Sequence, residues 1–571
     1  MKTNKWLLLL ALSLVLSVVL AACGSKDKDE DKNASTGNEG DKATQTEESG
    51  EPDAEQVLNL IESAAIPSVD SAIVEDAVGF NVLNNVNEGL YRLNLENVAE
   101  PAMAAEEAEV SEDGLTYTFK LRDAKWSDGT PVTAHDFVFA WQRAIDPATG
   151  SPYGPFMMSG VIKNATEISE EKMDVSELGV VAEDDKTLVV TLERPVPYFL
   201  SLMSFGTFYP QKEEFVTAKG DAYATNSDNL LYNGPFILTE WDGTGDSWVY
   251  KKNEHYWDAE NVKLETINVD VVKDSATAVK LYNDGKKDRA NVSGDLALQY
   301  GSHEEAVHEA ETSVFYFKFN QERNGEKTPL ANVNIRKAIA KSFQKEDLAD
   351  VVLANGSVPA NYIVPKEFAY DENGTDFRDI SGDHLVYDAE EAKEYWAKGL
   401  EELGVSELEL EILGGDTDLS KKMNEYFKAQ LEGNLEGLTI KLKEVPFSVR
   451  LELDTNQDYD IQVSGWGPDF QDPISFMDLF VTDSTNNLMS FSNKEYDELI
   501  EATKGELALD PAARFEAFAK AEKILLEDEA AIAPIYQRGL IQLEKPYFKN
   551  LGVHPFGADY SYKWAYISGK E

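Results

Sequence analysis

Residues 465–473 read Gly-Trp-Gly-Pro-Asp-Phe-Gln-Asp-Pro, and no other stretch of the chain has so clear a chemical use. Asp469 is a carboxylate flanked by the flat apolar rings of Trp466 and Phe470. Rings shield such a charge from water. A charge-assisted bond from it to an organic ammonium, for example the α-amino group of a peptide, is worth roughly 1.5–3 kcal/mol. The plainer use of an aspartate here is turn chemistry, in which its side chain caps backbone N–H groups beside Pro468. The segment by itself leaves both uses open. It follows a predicted strand at 459–463. Gly465, Gly467 and Pro468 are expected to end that strand, because proline offers no ladder donor. Glycine at 465 and 467 would also let another backbone come close.

Other chemistry lacks its patterns. A secreted hydrolase needs a nucleophile with its base, or a metal. The chain has no Gly-x-Ser-x-Gly, no His-Glu-x-x-His and no Walker loop. Its six histidines, at 135, 255, 303, 308, 384 and 554, are scattered, and the five-residue step from His303 to His308 does not put both on one helical face. Asp454, Asn456 and Asp458 have the spacing of a calcium loop. Tyr459, however, stands where that loop needs glycine, and Gly465 where it needs glutamate. The expectation is a protein that is not an enzyme and carries no metal and no cofactor.

Composition sets wider limits. At 571 residues the chain exceeds what one core can support, so two or three domains are expected. Hydrophobic residues make up 42%, enough for packed cores. A net charge of −52 argues against nucleic acid and against adsorption to an anionic membrane surface, since both would repel the protein. Cys23 is the single cysteine, so there is no internal disulfide.

The first residues read as an address. Lys2 and Lys5 precede an apolar run at 7–20 that is too short for a membrane span, and Leu20-Ala21-Ala22-Cys23 follows. This resembles the lipobox of bacterial lipoproteins, which implies a signal peptide at 1–22 and a lipid on Cys23. Residues 23–54 are polar and acidic and cannot bury enough surface to fold, so they read as a flexible tether.

The elements that must position Asp469 can be read in outline. Leu115, Tyr117, Phe119 and Leu121 alternate with polar residues, the mark of a half-buried strand. Thr133 and Asp136 form a capping-box-like pair ahead of a helix whose face is Phe137, Ala140, Trp141 and Ala144. Residues 151–155 are expected to form a stiff loop that holds Tyr153 out. An aromatic strand is predicted at 314–319. Beyond it, helices at 332–343, 388–403 and 419–431 and after Pro511 alternate with strands around Leu410 and Ile440, the pattern of α/β units.

Several motifs then occur in one order: Trp126-Ser127-Asp128-Gly129-Thr130-Pro131, Asp146-Pro147, Ser151-Pro152-Tyr153, Pro195-Val196-Pro197-Tyr198-Phe199, Asn233-Gly234-Pro235-Phe236, residues 465–473, and Ala530-Ala531-Ile532-Ala533-Pro534-Ile535-Tyr536. In these the chain resembles the oligopeptide-binding lipoproteins of peptide ABC importers, a class of large solute-binding proteins, over about residues 55 to 571. The resemblance implies an α/β, two-lobed fold of periplasmic-binding-protein type II, with an extra inserted domain and hinge closure. One lobe would combine 55–96, 229–312 and 538–571 with an inserted domain at 97–228, and the other would be 313–537. It implies a monomer outside the cytoplasm, lipid-anchored to the bacterial membrane at Cys23, that binds short peptides and passes them to an ABC permease. It places Asp469 on the ligand's α-amino group, Trp466 and Gly467 on a pocket wall and a backbone contact, Tyr153 beside the ligand, and Phe447 in a side-chain pocket. Glu75 would lie on the cleft wall and Tyr536 in a cleft strand. Some relatives carry an arginine for the ligand's carboxylate where this chain has Val463, and Arg538 is a candidate substitute. Alternatives on the same fold are a receptor for a single signalling peptide and a binder of a sugar, haem or nickel chelate. An adhesin or extracytoplasmic chaperone would leave the cleft incidental.

Overall fold

Alternating side chains build the first strand. In Val57–Glu62, Leu58 and Leu60 are buried and their neighbours half-buried, as in a sheet covered on one face. The structure is a computed structural model that describes residues 51–570. The expected signal peptide, Cys23 and all but the end of the expected tether lie outside the described residues. Val57–Glu62 pairs parallel with Thr266–Val271, which continues antiparallel to Ser247–Lys252 and then Phe236–Thr239.

A second, all-antiparallel sheet is made within one stretch of chain. Its order is Glu109–Val110, Thr116–Lys120, Thr187–Thr191, Val180–Asp184. The Ala134–Ile145 helix packs on it. That helix starts as predicted, with the Asp136 carboxylate accepting a hydrogen bond from the Thr133 N–H at 2.8 Å, and Phe137, Ala140, Trp141 and Ala144 are all buried.

The third sheet has seven strands. Along its path the order is Arg289–Val292, Ile532–Glu544, Ala306–Phe319, Ile461–Trp466, Leu408–Gly415 and Leu438–Val445, with Val358–Pro359 also paired to Ile532–Glu544. The two long strands tie two lobes together. At one end, 306–310 and 539–544 lie beside Arg289–Val292. At the other end, 314–319 pair with Ile461–Trp466, which leads into the parallel α/β part. Between these ends the ladder is interrupted by a register shift between Ala310 and Val314. The boundaries expected at 312/313 and 537/538 therefore fall inside these two strands, the first of them at that shift.

Helices in the second lobe begin where the sequence signals them. Asn332, Asp388 and Asp510 cap Val333–Lys341, Ala389–Leu403 and Pro511–Lys523, each accepting the N–H groups left free in a first turn. Two predictions are corrected. The strand expected at 459–463 is Ile461–Trp466. Gly465 lies inside it, opposite Phe315, and only Gly467-Pro468 ends it. The aromatic strand predicted at 314–319 begins much earlier, at Ala306. Among the described residues no helix is long and apolar enough to cross a membrane, and no group of three or more His, Cys, Asp or Glu is placed to hold a metal ion.

Candidate functional site

The turn that carries Asp469 is fixed on both sides. Before it, the Gly557 N–H donates to the Pro468 carbonyl at 2.8 Å. At the turn itself, the Asp469 N–H donates to Ser475 Oγ at 2.8 Å. Gly465 makes room for a side-chain ring and not for the second backbone expected there. A Cβ there would lie 2.7 Å from the Phe315 ring, which itself stacks on Tyr536 at 4.7 Å and 5°. The turn-capping role falls to a different residue: Asp472 accepts from the Ile474 N–H at 3.0 Å and is clamped by Arg514 at 2.8 Å.

The Asp469 side chain is left for something else. It is 6% exposed. Its Oδ1 accepts from the Tyr153 hydroxyl at 3.4 Å, a long bond, and its Oδ2 is buried with no hydrogen-bond partner among the described residues. Burial pushes this carboxyl well above the usual carboxylate range, and the Tyr153 hydroxyl offsets part of that rise. Tyr153 stacks parallel to Trp466, 6.2 Å apart at 6°, and Phe156 meets the Trp466 ring edge-on at 6.2 Å. The Trp466 indole N–H is also buried without a partner among the described residues. A buried acceptor and a buried donor, both unsatisfied and three residues apart in the chain, are expensive in isolation. They suit a ligand that brings a positive N–H group and a carbonyl.

Tyr153 departs from its prediction. It is not held out by a loop. It opens the short helix Tyr153–Met158 and is buried against Phe80, Phe205 and Trp466. Ser151 Oγ accepts from the Gly154 N–H at 2.9 Å and starts that helix.

The remaining predicted residues fall into separate places. Phe447, Tyr536 and Arg538 line a cavity of about 740 Å³ together with Val463, Phe315 and Arg450. Gly467 lines a smaller one of about 200 Å³ with Ser313, Pro468 and His554. Arg538 is not a free cation, because its guanidinium is paired with Glu311. Burial raises the Glu311 carboxyl to about 7, against the pull of Arg538. Glu75 lines neither cavity. It is half-buried beside Asp76, which caps the Ala77–Val86 helix by accepting from the Gly79 N–H at 2.9 Å. Arg450 was missed at the sequence level. It sits one turn after Phe447 on the Phe447–Thr455 helix, which buries no residue and so shows no apolar period.

The Asp469 turn and the large cavity are joined by a strand edge. Ile461–Trp466 pairs with Ala306–Phe319 as far as Trp466, but with Leu408–Gly415 only through Ile461 and Gln462. Among the described residues no strand lies beside its other edge from Val463 onward. An extended chain can add to such an edge through main-chain hydrogen bonds.

The family model of bacterial extracellular solute-binding proteins, family 5 (middle), matches residues 99–487. The chain belongs to this family. A dipeptide-binding protein of Lactococcus lactis subsp. cremoris (strain MG1363) is 36% identical to this family 5 protein over 514 residues, covering 88% of this chain and 92% of the relative. A Listeria monocytogenes OppA solved with bound peptide is 50% identical, covers 91% of this chain and 100% of that one, and superposes with a TM-score of 0.88. The Escherichia coli murein tripeptide-binding protein MppA, 27% identical over 90% of this chain and 99% of its own, gives a TM-score of 0.81. An unliganded open form of MppA, also 27% identical, over 90% of this chain and 98% of its own, gives 0.59. The family 5 chain described here thus has its lobes drawn together. Contacts across them agree: Arg194 pairs with Glu501 at 2.7 Å, Lys273 with Asp416 at 2.8 Å, and Tyr198 stacks on Phe470 at 4.5 Å.

Proposed function

We propose that this protein is an extracytoplasmic receptor that closes its two lobes on short peptides and delivers them to an ABC permease. The observation that carries the reading is the Asp469 carboxylate, buried beside the Tyr153 hydroxyl with one oxygen unsatisfied among the described residues. A peptide's α-ammonium completes it. Main-chain bonds along the free edge at 463–466 then hold the peptide without reading its side chains, and the large cavity admits side chains of many sizes. The protein makes and breaks no bond. A ligand favours closure only through contacts that the open form lacks, and the register shift between Ala310 and Val314 is the natural place for the two long strands to bend.

Mass spectrometry of small molecules extracted from the purified protein tests this. A mixture of short peptides with free amino ends is the expected result, and one defined peptide would mark a signal receptor instead. Recovery of no peptide, together with no calorimetric response to added peptides, would overturn the proposal.

The proposal includes a lipid anchor at Cys23, supported by the lipobox and by the unfoldable composition of the segment after it. Cys23→Ala is expected to move the protein from the cell fraction to the medium, followed by immunoblot. Full retention on cells would count against the anchor.

A further inference from the structure

The large cavity is lined by four cations, Lys273, Arg289, Arg450 and Arg538. Three of them have carboxylate partners. Lys273 pairs with Asp416 at 2.8 Å, Arg289 with Glu309 and with Glu544 at 3.1 Å, and Arg538 with Glu311. Among the described residues Arg450 has no carboxylate within ion-pair distance. Its Nη1 donates to the Val463 carbonyl at 2.9 Å, and its guanidinium lies 5.0 Å from the Phe447 ring, one helical turn back. The acidic side chains that face it are already engaged. Asp454 is paired with Lys318 at 2.7 Å, and Asp76 caps a helix.

We infer that Arg450 receives the carboxylate end of the ligand and so sets the peptide length that this cleft prefers. The inference rests on the reading of Asp469 as the seat of the amino end. Arg450 closes the free strand edge at Val463, so a peptide laid along that edge from the Asp469 side meets a guanidinium where its main-chain partners run out. A guanidinium has five N–H donors in a planar fork matched to a carboxylate, and the bond to Val463 uses one of them. Burial draws the Arg450 pKa downward, yet an arginine keeps its charge in a protein.

The strand supplies a ruler. From Val463 to Trp466 is three steps of about 3.3 Å, roughly 10 Å, and Asp469 lies beyond Trp466. A dipeptide falls short of that span. An extended tripeptide or tetrapeptide covers it with its carboxylate at Arg450. A longer chain presents an interior residue to Arg450 and loses the ion pair.

Calorimetry with oligo-alanines of two to six residues tests the assignment, each supplied as the free acid, the C-terminal amide and the N-acetyl form. Wild-type protein is expected to bind three- and four-residue acids best. At those lengths amidation should weaken binding roughly 10- to 150-fold, the loss of one charge-assisted pair. Arg450→Gln should bind acid and amide alike and still lose affinity on N-acetylation, which also shows that its cleft is intact. Arg450→Lys keeps a charge and should keep part of the penalty, so it decides the matter if the glutamine variant does not fold. An amidation penalty unchanged in Arg450→Gln, or absent in the wild type, would overturn the role of Arg450 while leaving Asp469 in place. No loss on N-acetylation would overturn the Asp469 reading first, and this one with it.

Discussion

Asp469→Asn is expected to weaken binding of free-amine peptides by about 10- to 150-fold, the fold-change equivalent of one charge-assisted hydrogen bond, and to stabilise the ligand-free protein at neutral pH. Both effects come from one carboxylate. Burial raises its pKa well above the ordinary value in the folded protein. Between the unfolded and folded pKa values the folded state then holds more protons than the unfolded state. Stability therefore falls as pH rises through that window and stays reduced above it. Asparagine does not titrate and removes that decline. The ammonium of a ligand pulls the carboxyl pKa back down, so binding should release protons and weaken as pH falls. Calorimetry in two buffers of different ionisation enthalpy measures the release, and thermal melts of both proteins across pH measure the stability. N-acetylating the peptide should cost about as much as the substitution, and the two together little more than either alone. Unchanged affinity in Asp469→Asn would remove the anchor from the proposed mechanism.

Gly154→Ala is expected to lower the thermal midpoint and the peptide affinity together. A Cβ at 154 would lie 1.7 Å from the Ala144 carbonyl oxygen. That atom is backbone in the Ala134–Ile145 helix and cannot swing aside. The Tyr153–Met158 helix must shift instead, at a cost of about 1–3 kcal/mol for the overpacked contact. Tyr153 moves with it, away from Asp469 and out of its stack on Trp466. Gly433→Ala is the comparator. It is an exposed position in the Asp418–Asn434 helix with nothing within 4 Å of the added Cβ, and alanine there should stabilise by about 0.5–1 kcal/mol without touching binding. A Gly154→Ala protein with wild-type melting and affinity would show that the two helices have room to spare.

These two positions also show what a sequence can and cannot disclose. The Ala134–Ile145 helix was legible because its cap and its buried face lie within a dozen residues of one another. The capped starts of Val333–Lys341, Ala389–Leu403 and Pro511–Lys523 were legible for the same reason. Asp469 stood out because its flanking rings are sequence neighbours. The burial of Tyr153 was not legible, because the ring that covers it, Trp466, lies in a distant segment. Gly465 pointed to a close approach but not to its partner, Phe315 on the adjacent strand, so the end of the strand was misplaced. Arg538 looked like a free cation because Glu311 reaches it only through the pairing of the two long strands. Arg450 gave no signal, since its short helix packs no apolar stripe.

The way the chain closes on itself governs how it can be assembled. The Ile532–Glu544 strand comes late, yet it sits between Ala306–Phe319 and Arg289–Val292 and also pairs with Val358–Pro359. Downstream of it, Ile567 exchanges hydrogen bonds with Gln56 at 2.8 and 2.9 Å, locking the first strand's lead-in to the final residues. Synthesis runs from the other end. Most of the polypeptide must therefore exist before its largest sheet can be filled, and that sheet stays gapped until the last segment threads in. A stop codon just after Ala531 would leave Ala306–Phe319, Arg289–Val292, Val358–Pro359 and Gln56 without these partners at once, and the shortened chain would not be a self-sufficient fragment.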